Sequence, residues 1–198
     1  MGMHKTLYIF FAIALGAAIV SCDGNKFKFG FSPKKNYDSL FLGLYLGMGK
    51  QEFFDRCMVL NQEKRATNGR SIQSVKHVLE MDFDNPVIME FYPTFFYDKI
   101  IEMPVVFTYE GWAPWNKEYS SDSLLVKLLP VFKQWYGDDF KLLNHETMGK
   151  VYYKIDGKRR INLFIRDDRY VQAVFSDMEL LRQRKKEESN TPITEGVE

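Results

Sequence analysis

Cysteine is nearly absent from this 198-residue chain: there are two, Cys22 and Cys57. A disulfide framework of the kind that holds small secreted domains together has no material here. Histidine is scarce too, with three, and His145-Glu146 lacks the second histidine that a zinc-binding helix needs. No excess of charge exists either. There are 27 basic and 26 acidic residues, a net of +1, so nothing provides the basic face that nucleic acid requires. Gly47-Met48-Gly49 lacks the Lys-Ser/Thr pair of a phosphate loop. A nucleophile elbow is missing, and neither His77 nor His145 is placed as the base of a serine triad. The paired acids Asp138-Asp139 and Asp167-Asp168 fall at expected turns, where acids are ordinary. These absences predict a protein with no metal site, no cofactor, no nucleic-acid partner and no catalytic residues.

What is present begins with one apolar run. Leu7 to Val20 is broken only by Gly16, follows Lys5, and meets no acid before Asp23. It is short for a bilayer span of roughly 20 apolar residues and has the layout of a secretory signal. The run ends in Ile19-Val20-Ser21-Cys22, which looks like a bacterial lipobox, whose cysteine is acylated once the peptide is cut before it. The alternatives are an ordinary signal with a coincidental cysteine, or a membrane-spanning helix. The reading taken here is a signal peptide over residues 1–21 and a lipidated Cys22, carrying palmitate-type chains, at the head of a tether over 22–36. Two or more acyl chains hold a protein stably at a membrane where one does not. The expected location is the cell envelope, with the outer membrane preferred to the inner.

Aromatic residues make up 16% of the chain, which favours β structure and a well-filled core. Residues 37–180 are expected to form one α+β domain, and 181–198 a charged, mobile tail that starts helical. From Gly49 to Gln62 the apolar positions Phe53, Cys57 and Leu60 predict an amphipathic helix. Strands are expected over Val75 to Phe83, with His77 on the apolar face, over Val87 to Tyr92, and over Phe95 to Tyr109. The last should turn at Asp98-Lys99, and Pro104 calls for a sheet edge or a bulge. A second helix is expected from a cap at Ser121-Asp122 to Gly137, with Leu124, Leu128, Phe132 and Trp135 inward and Pro130 kinking or dividing it. Three further strands, Lys150–Ile155, Arg160–Arg166 and Tyr170–Ser176, are joined by turns at Asp156-Gly157 and Asp167-Asp168. The pattern reads as two helix-plus-three-strand halves, about 42–110 and 120–177. Together they predict one antiparallel sheet with the helices packed on one face.

That order resembles the β-lactamase-inhibitor-protein-like fold, and its half-unit resembles the SmpA/OmlA lipoproteins. The opening Leu46-Gly47-Met48-Gly49-Lys50-Gln51-Glu52-Phe53 is similar to the first helix start of the latter. More closely, Gly47 to Asn61, Trp112-Ala-Pro-Trp-Asn116, Trp135-Tyr-Gly137 and Asp156 to Ile161 resemble uncharacterised lipoproteins of Bacteroidetes. The likeness implies protein binding on a tethered scaffold.

The loop Tyr109 to Tyr119 holds two of the three tryptophans. Tyr109, Trp112, Trp115 and Tyr119 are the candidate binding residues, since exposed Trp and Tyr supply large contact area at small entropic cost. The rings could meet an envelope protein, stack on a glycan, or fold back as a lid over the core. Asp38-Ser39-Leu40 and Asp122-Ser123-Leu124 resemble short O-glycosylation acceptor sites. The expected function is non-enzymatic binding or scaffolding of an envelope protein; the alternative is a glycan-binding lipoprotein serving polysaccharide uptake.

Overall fold

A computed structural model of the chain describes residues 37–190 except Ile72, Glu80 and Asp82. Cys22, the 1–21 signal reading, the tether at 22–36 and residues 191–198 lie outside the described residues. The elements run α1 (Lys50–Gln62), β1 (Thr67–Asn68), β2 (Val75–Val78), β3 (Val87–Phe91), β4 (Thr94–Phe96) and β5 (Lys99–Tyr109). A 3-10 helix (Lys117–Tyr119) precedes α2 (Ser121–Tyr136), followed by β6 (Lys141–His145), β7 (Gly149–Asp156), β8 (Arg159–Ile165), β9 (Val171–Asp177) and α3 (Met178–Asn190).

All described strand pairs are antiparallel. The order is β1-β2-β3-β5-β9-β8-β7-β6, with β4 also on β5. Each edge therefore leads inward by hairpin neighbours, and the two runs meet where β5 pairs with β9. The expected α+β class and single antiparallel sheet are what the chain adopts.

Alternation decides which side chains meet the helices. Met103, Val105 and Phe107 on β5, Val171, Ala173 and Phe175 on β9, and Ile161 and Leu163 on β8 are buried in one cluster with Phe53 of α1 and Leu124, Leu128 and Phe132 of α2. The two helices thus share one face. Phe132 is the aromatic centre, with ring centroids 5.8 Å from Phe107, 6.1 Å from Phe175 and 5.6 Å from Tyr136. Such ring pairs contribute about 0.5–1.5 kcal/mol each beyond their burial. Residues 38–48 complete the core through Leu40, Leu44, Leu46 and Met48, all buried. A left-handed pair, Leu42 (φ 53°) and Gly43 (φ 78°), turns that segment. Arg56 Nε donates to the Leu42 carbonyl at 2.7 Å, and a Cβ on Gly43 would stand 3.0 Å from the same nitrogen.

Several expectations need correction. The strand expected to reach Phe83 stops at Val78, and the chain bends where Phe83 N–H donates to the Met81 carbonyl at 2.9 Å. The β4–β5 hairpin turns on Tyr97 (φ 44°) and Asp98 (φ 61°), one residue earlier than expected. Pro104 sits mid-sheet, between β3 and β9. Phe91 pairs with Val105 and Thr94 with Glu102, so the β3/β4 ladder is interrupted beside Pro104, where an N–H is missing. Pro130 neither divides nor ends α2, which is continuous from Ser121 to Tyr136. Pro130 is exposed, as is Val126 one turn before, so water can hydrate the carbonyl the proline leaves unpaired.

Trp135, expected inward, is 41% exposed, and Tyr136 takes the core position four residues after Phe132. The edge strand β6 has no counterpart among the expected elements. All five of its residues are exposed, so no alternation marks it. The charged run near the C-terminus is helical as α3. It lies against β5 and β9, with Leu180, Leu181, Arg184 and Glu187 half-buried.

Candidate functional site

The four residues singled out on the Tyr109–Tyr119 loop do not form one surface. Tyr109 ends β5 inside the core, 1% exposed. Tyr119 is half-buried against it, ring centroids 5.2 Å apart. Trp112 folds down as well: its indole Nε1 donates to the Asp168 carbonyl at 3.3 Å, and the Arg169 guanidinium lies 4.8 Å from its ring centroid. Trp115 alone of the four points outward, 85% exposed. The loop thus closes the end of the core with three rings and presents the fourth.

Local chemistry explains the arrangement. Asn116 caps the 3-10 helix by accepting the Glu118 N–H at 3.1 Å, which fixes the chain just after Trp115. On the facing turn, Asp167 Oδ1 accepts from the backbone N–H of Arg169 at 3.0 Å and of Tyr170 at 2.8 Å. Burial acts to raise the Asp167 carboxyl, but these bonds and Arg166 outweigh it and hold it below the usual carboxylate range. The turn holds Arg169 over both Trp112 and Tyr170, at 4.8 and 5.1 Å. Arg166 covers the same tyrosine at 4.3 Å, and Arg70 lies 5.5 Å from its centroid. Glu90 balances Arg70 at 3.3 Å, and Asp167 balances Arg166 at 3.1 Å. A rim of stacked Arg, Tyr and Trp therefore lies against Trp112 at the root of the Trp115 loop.

A second polar assembly lies at the opposite end of α2, on the helix-bearing face. Lys154 and Arg159 are each 5% exposed. Lys154 contacts Asp139 and, at 3.0 Å, Asp156; Arg159 meets Asp156 at 2.8 Å and donates to the Ser39 carbonyl. Lys158 reaches Asp38 at 3.3 Å and the fully buried Asp177 at 3.1 Å. Asp177 also caps α3, accepting the N–H groups of Glu179 and Leu180. Sequence reading missed this network. The signal was in the register: the Gly157-Lys158 turn sets Asp156 opposite Arg159 and Lys154 opposite the inward Ile161.

The titratable candidates stand apart from one another. His77 is buried on β2, its Nδ1 2.6 Å from the Arg65 carbonyl. His145 is exposed on the edge strand β6, in a turn with Thr147. Burial pushes the Cys57 thiol up to about 11, against a smaller opposing effect of Arg56. Among the described residues, no group of three or more His, Cys, Asp or Glu side chains is placed to hold a metal ion. No helix among them is long and apolar enough to cross a membrane. No protein-family profile, curated protein or solved structure matches the chain.

Proposed function

We propose that this chain is a lipid-anchored, non-enzymatic binding module of the bacterial cell envelope that docks another envelope protein through the rim around Trp115. The observation that carries the reading is the 85% exposure of Trp115 beside the Trp112–Arg169–Tyr170 stack. Trp, Tyr and Arg are the residues in which binding hot spots are enriched. Trp112, Arg169 and Tyr170 are already stacked before any partner arrives, so little ordering entropy opposes their share of association. A glycan platform is better served by two coplanar exposed rings, and Trp112 is turned down instead.

The anchor rests on Ile19-Val20-Ser21-Cys22 and on the apolar run before it. Acylation of Cys22 would confine the domain to the membrane surface, the outer membrane by preference. The resemblance to the β-lactamase-inhibitor-protein-like fold supports a binding role, and the two-sided strand order supports a tandem origin of the halves.

The test is a photo-reactive residue at Trp115 in the native envelope. Discrete protein adducts support the reading. Adducts only with glycan replace it with the polysaccharide-uptake alternative.

A further inference from the structure

Away from Trp115, a cavity of about 820 Å³ opens between residues 37–42, β2 and the last turn of α2. That volume lies within the range of small-molecule sites, about 300–1,000 Å³. Its walls are mixed, a little more apolar than polar, with Leu40, Phe41, Leu79, Met81 and Met89 on them, and Trp135 stands among the lining residues. Donors are plentiful on the lining side chains: the cationic guanidinium groups of Arg65 and Arg159, and neutral hydroxyl, amide and ring N–H groups beside them. Among the described residues, no carboxylate lines it.

Arg159 is built in, whereas the Arg65 side chain is 40% exposed. Arg159 is 5% exposed, seated 5.1 Å from the Tyr136 ring and fixed by Asp156 and the Ser39 carbonyl. Those contacts use two of its five N–H groups, and its buried Nε has no partner among the described residues. The loop bearing Arg65 is tied to β2 where the His77 ring nitrogen meets the Arg65 carbonyl. Glu63 approaches Arg65 at 3.5 Å, but neither Glu63 nor Asp156 is a wall residue. The α2 carboxyl end also borders the site and sets partial negative charge there. Two full cations on the wall outweigh that half-charge.

We propose that this cavity binds a small organic carboxylate with an apolar body. The carboxylate would take the arginine donors, and the body would lie among the leucine, methionine and tryptophan side chains. A hydroxyl-rich acidic sugar fits these walls poorly, because it would strand hydroxyls against apolar surface.

The test is calorimetry on the full chain in phospholipid nanodiscs, with empty discs as the blank. The probes are 2-naphthoate, its neutral counterpart 2-naphthamide, and glucuronate. The expected result is saturable 2-naphthoate binding, with 2-naphthamide at least about tenfold weaker for want of the charge-assisted bonds. Met81→Trp, which narrows the cavity from a partly exposed position, should weaken binding. Arg65→Gln should weaken it about threefold to tenfold. Thermal melts check that both variants fold; Arg159 variants are avoided because they also break the buried network. Absence of saturable binding, equal affinity for both naphthyl probes, indifference to Met81→Trp, or preference for glucuronate would each overturn the proposal. None of these outcomes bears on Trp115, so the two sites are judged separately.

Discussion

The guanidinium of Arg169 lies 4.8 Å from the Trp112 ring centroid, whereas Trp115, three residues on, is 85% exposed. One loop therefore divides its two tryptophans between holding the fold and meeting something outside it.

The division predicts unequal stability effects. Trp112→Ala removes half-buried ring surface, a cation–π contact and the bond to Asp168, and should cost about 2–3 kcal/mol. Trp115→Ala removes little from the folded state and should stay within about 0.5 kcal/mol of wild type. Urea unfolding of both variants checks this; similar losses would mean that Trp115 is packed.

A second prediction concerns alkaline pH. Burial acts to lower the Lys154 ammonium, but Asp139 and Asp156 outweigh it, so its pKa is raised in the folded protein. A raised group stabilises fully below its unfolded value, about 10.4, and that stabilisation is lost as pH climbs through the folded value. Stability should therefore decline above about pH 10.4. Lys154→Met should lower stability at neutral pH by about 1–2 kcal/mol and make the alkaline decline shallower. Part of the slope remains, because Lys158 is also raised: burial lowers it, and Asp177 and Asp38 outweigh burial. An unchanged slope in Lys154→Met would contradict this assignment.

Cys57 gives the third. With its thiol pushed up to about 11 by burial, only about one molecule in a thousand holds the thiolate at pH 8. Reaction with a disulfide reagent should run at least about a hundredfold slower than for a free cysteine, and unfolding in urea should restore it. The assay uses a Cys22→Ala chain so that one thiol reports. Fast reaction of the folded protein would show an activated cysteine instead.

Much of the fold was legible where burial is one-sided. Ile161 and Leu163, and Val171, Ala173 and Phe175, are buried as the alternation requires, but at the end of β8 it fails: Ile165, expected inward, is half-buried and Phe164, expected outward, is buried. Gly157 at φ 56° marked a hairpin whose turn falls on Gly157-Lys158, one residue later than expected. What escaped detection lacked a periodic signal. β6 buries nothing, so its Leu142 and Leu143 carry no face. Pro130 suggested a break that solvent makes tolerable.

The site was legible in composition and illegible in orientation. Nothing in Trp112-Ala-Pro-Trp115 says which ring turns inward. That is decided by Arg169, 57 residues further along the chain, whose position depends on the β8–β9 turn. Lys154 and Arg159 were hidden for a related reason: charge at an inward position makes sense only once its partners across the sheet are known.

The most direct test of the account is photo-crosslinking in the native envelope from position 115, with position 112 as the internal control. The account predicts a discrete protein adduct from 115, lost when Arg166 and Arg169 are replaced, and little from 112. Equal labelling from both positions, or glycan adducts alone from 115, would contradict it.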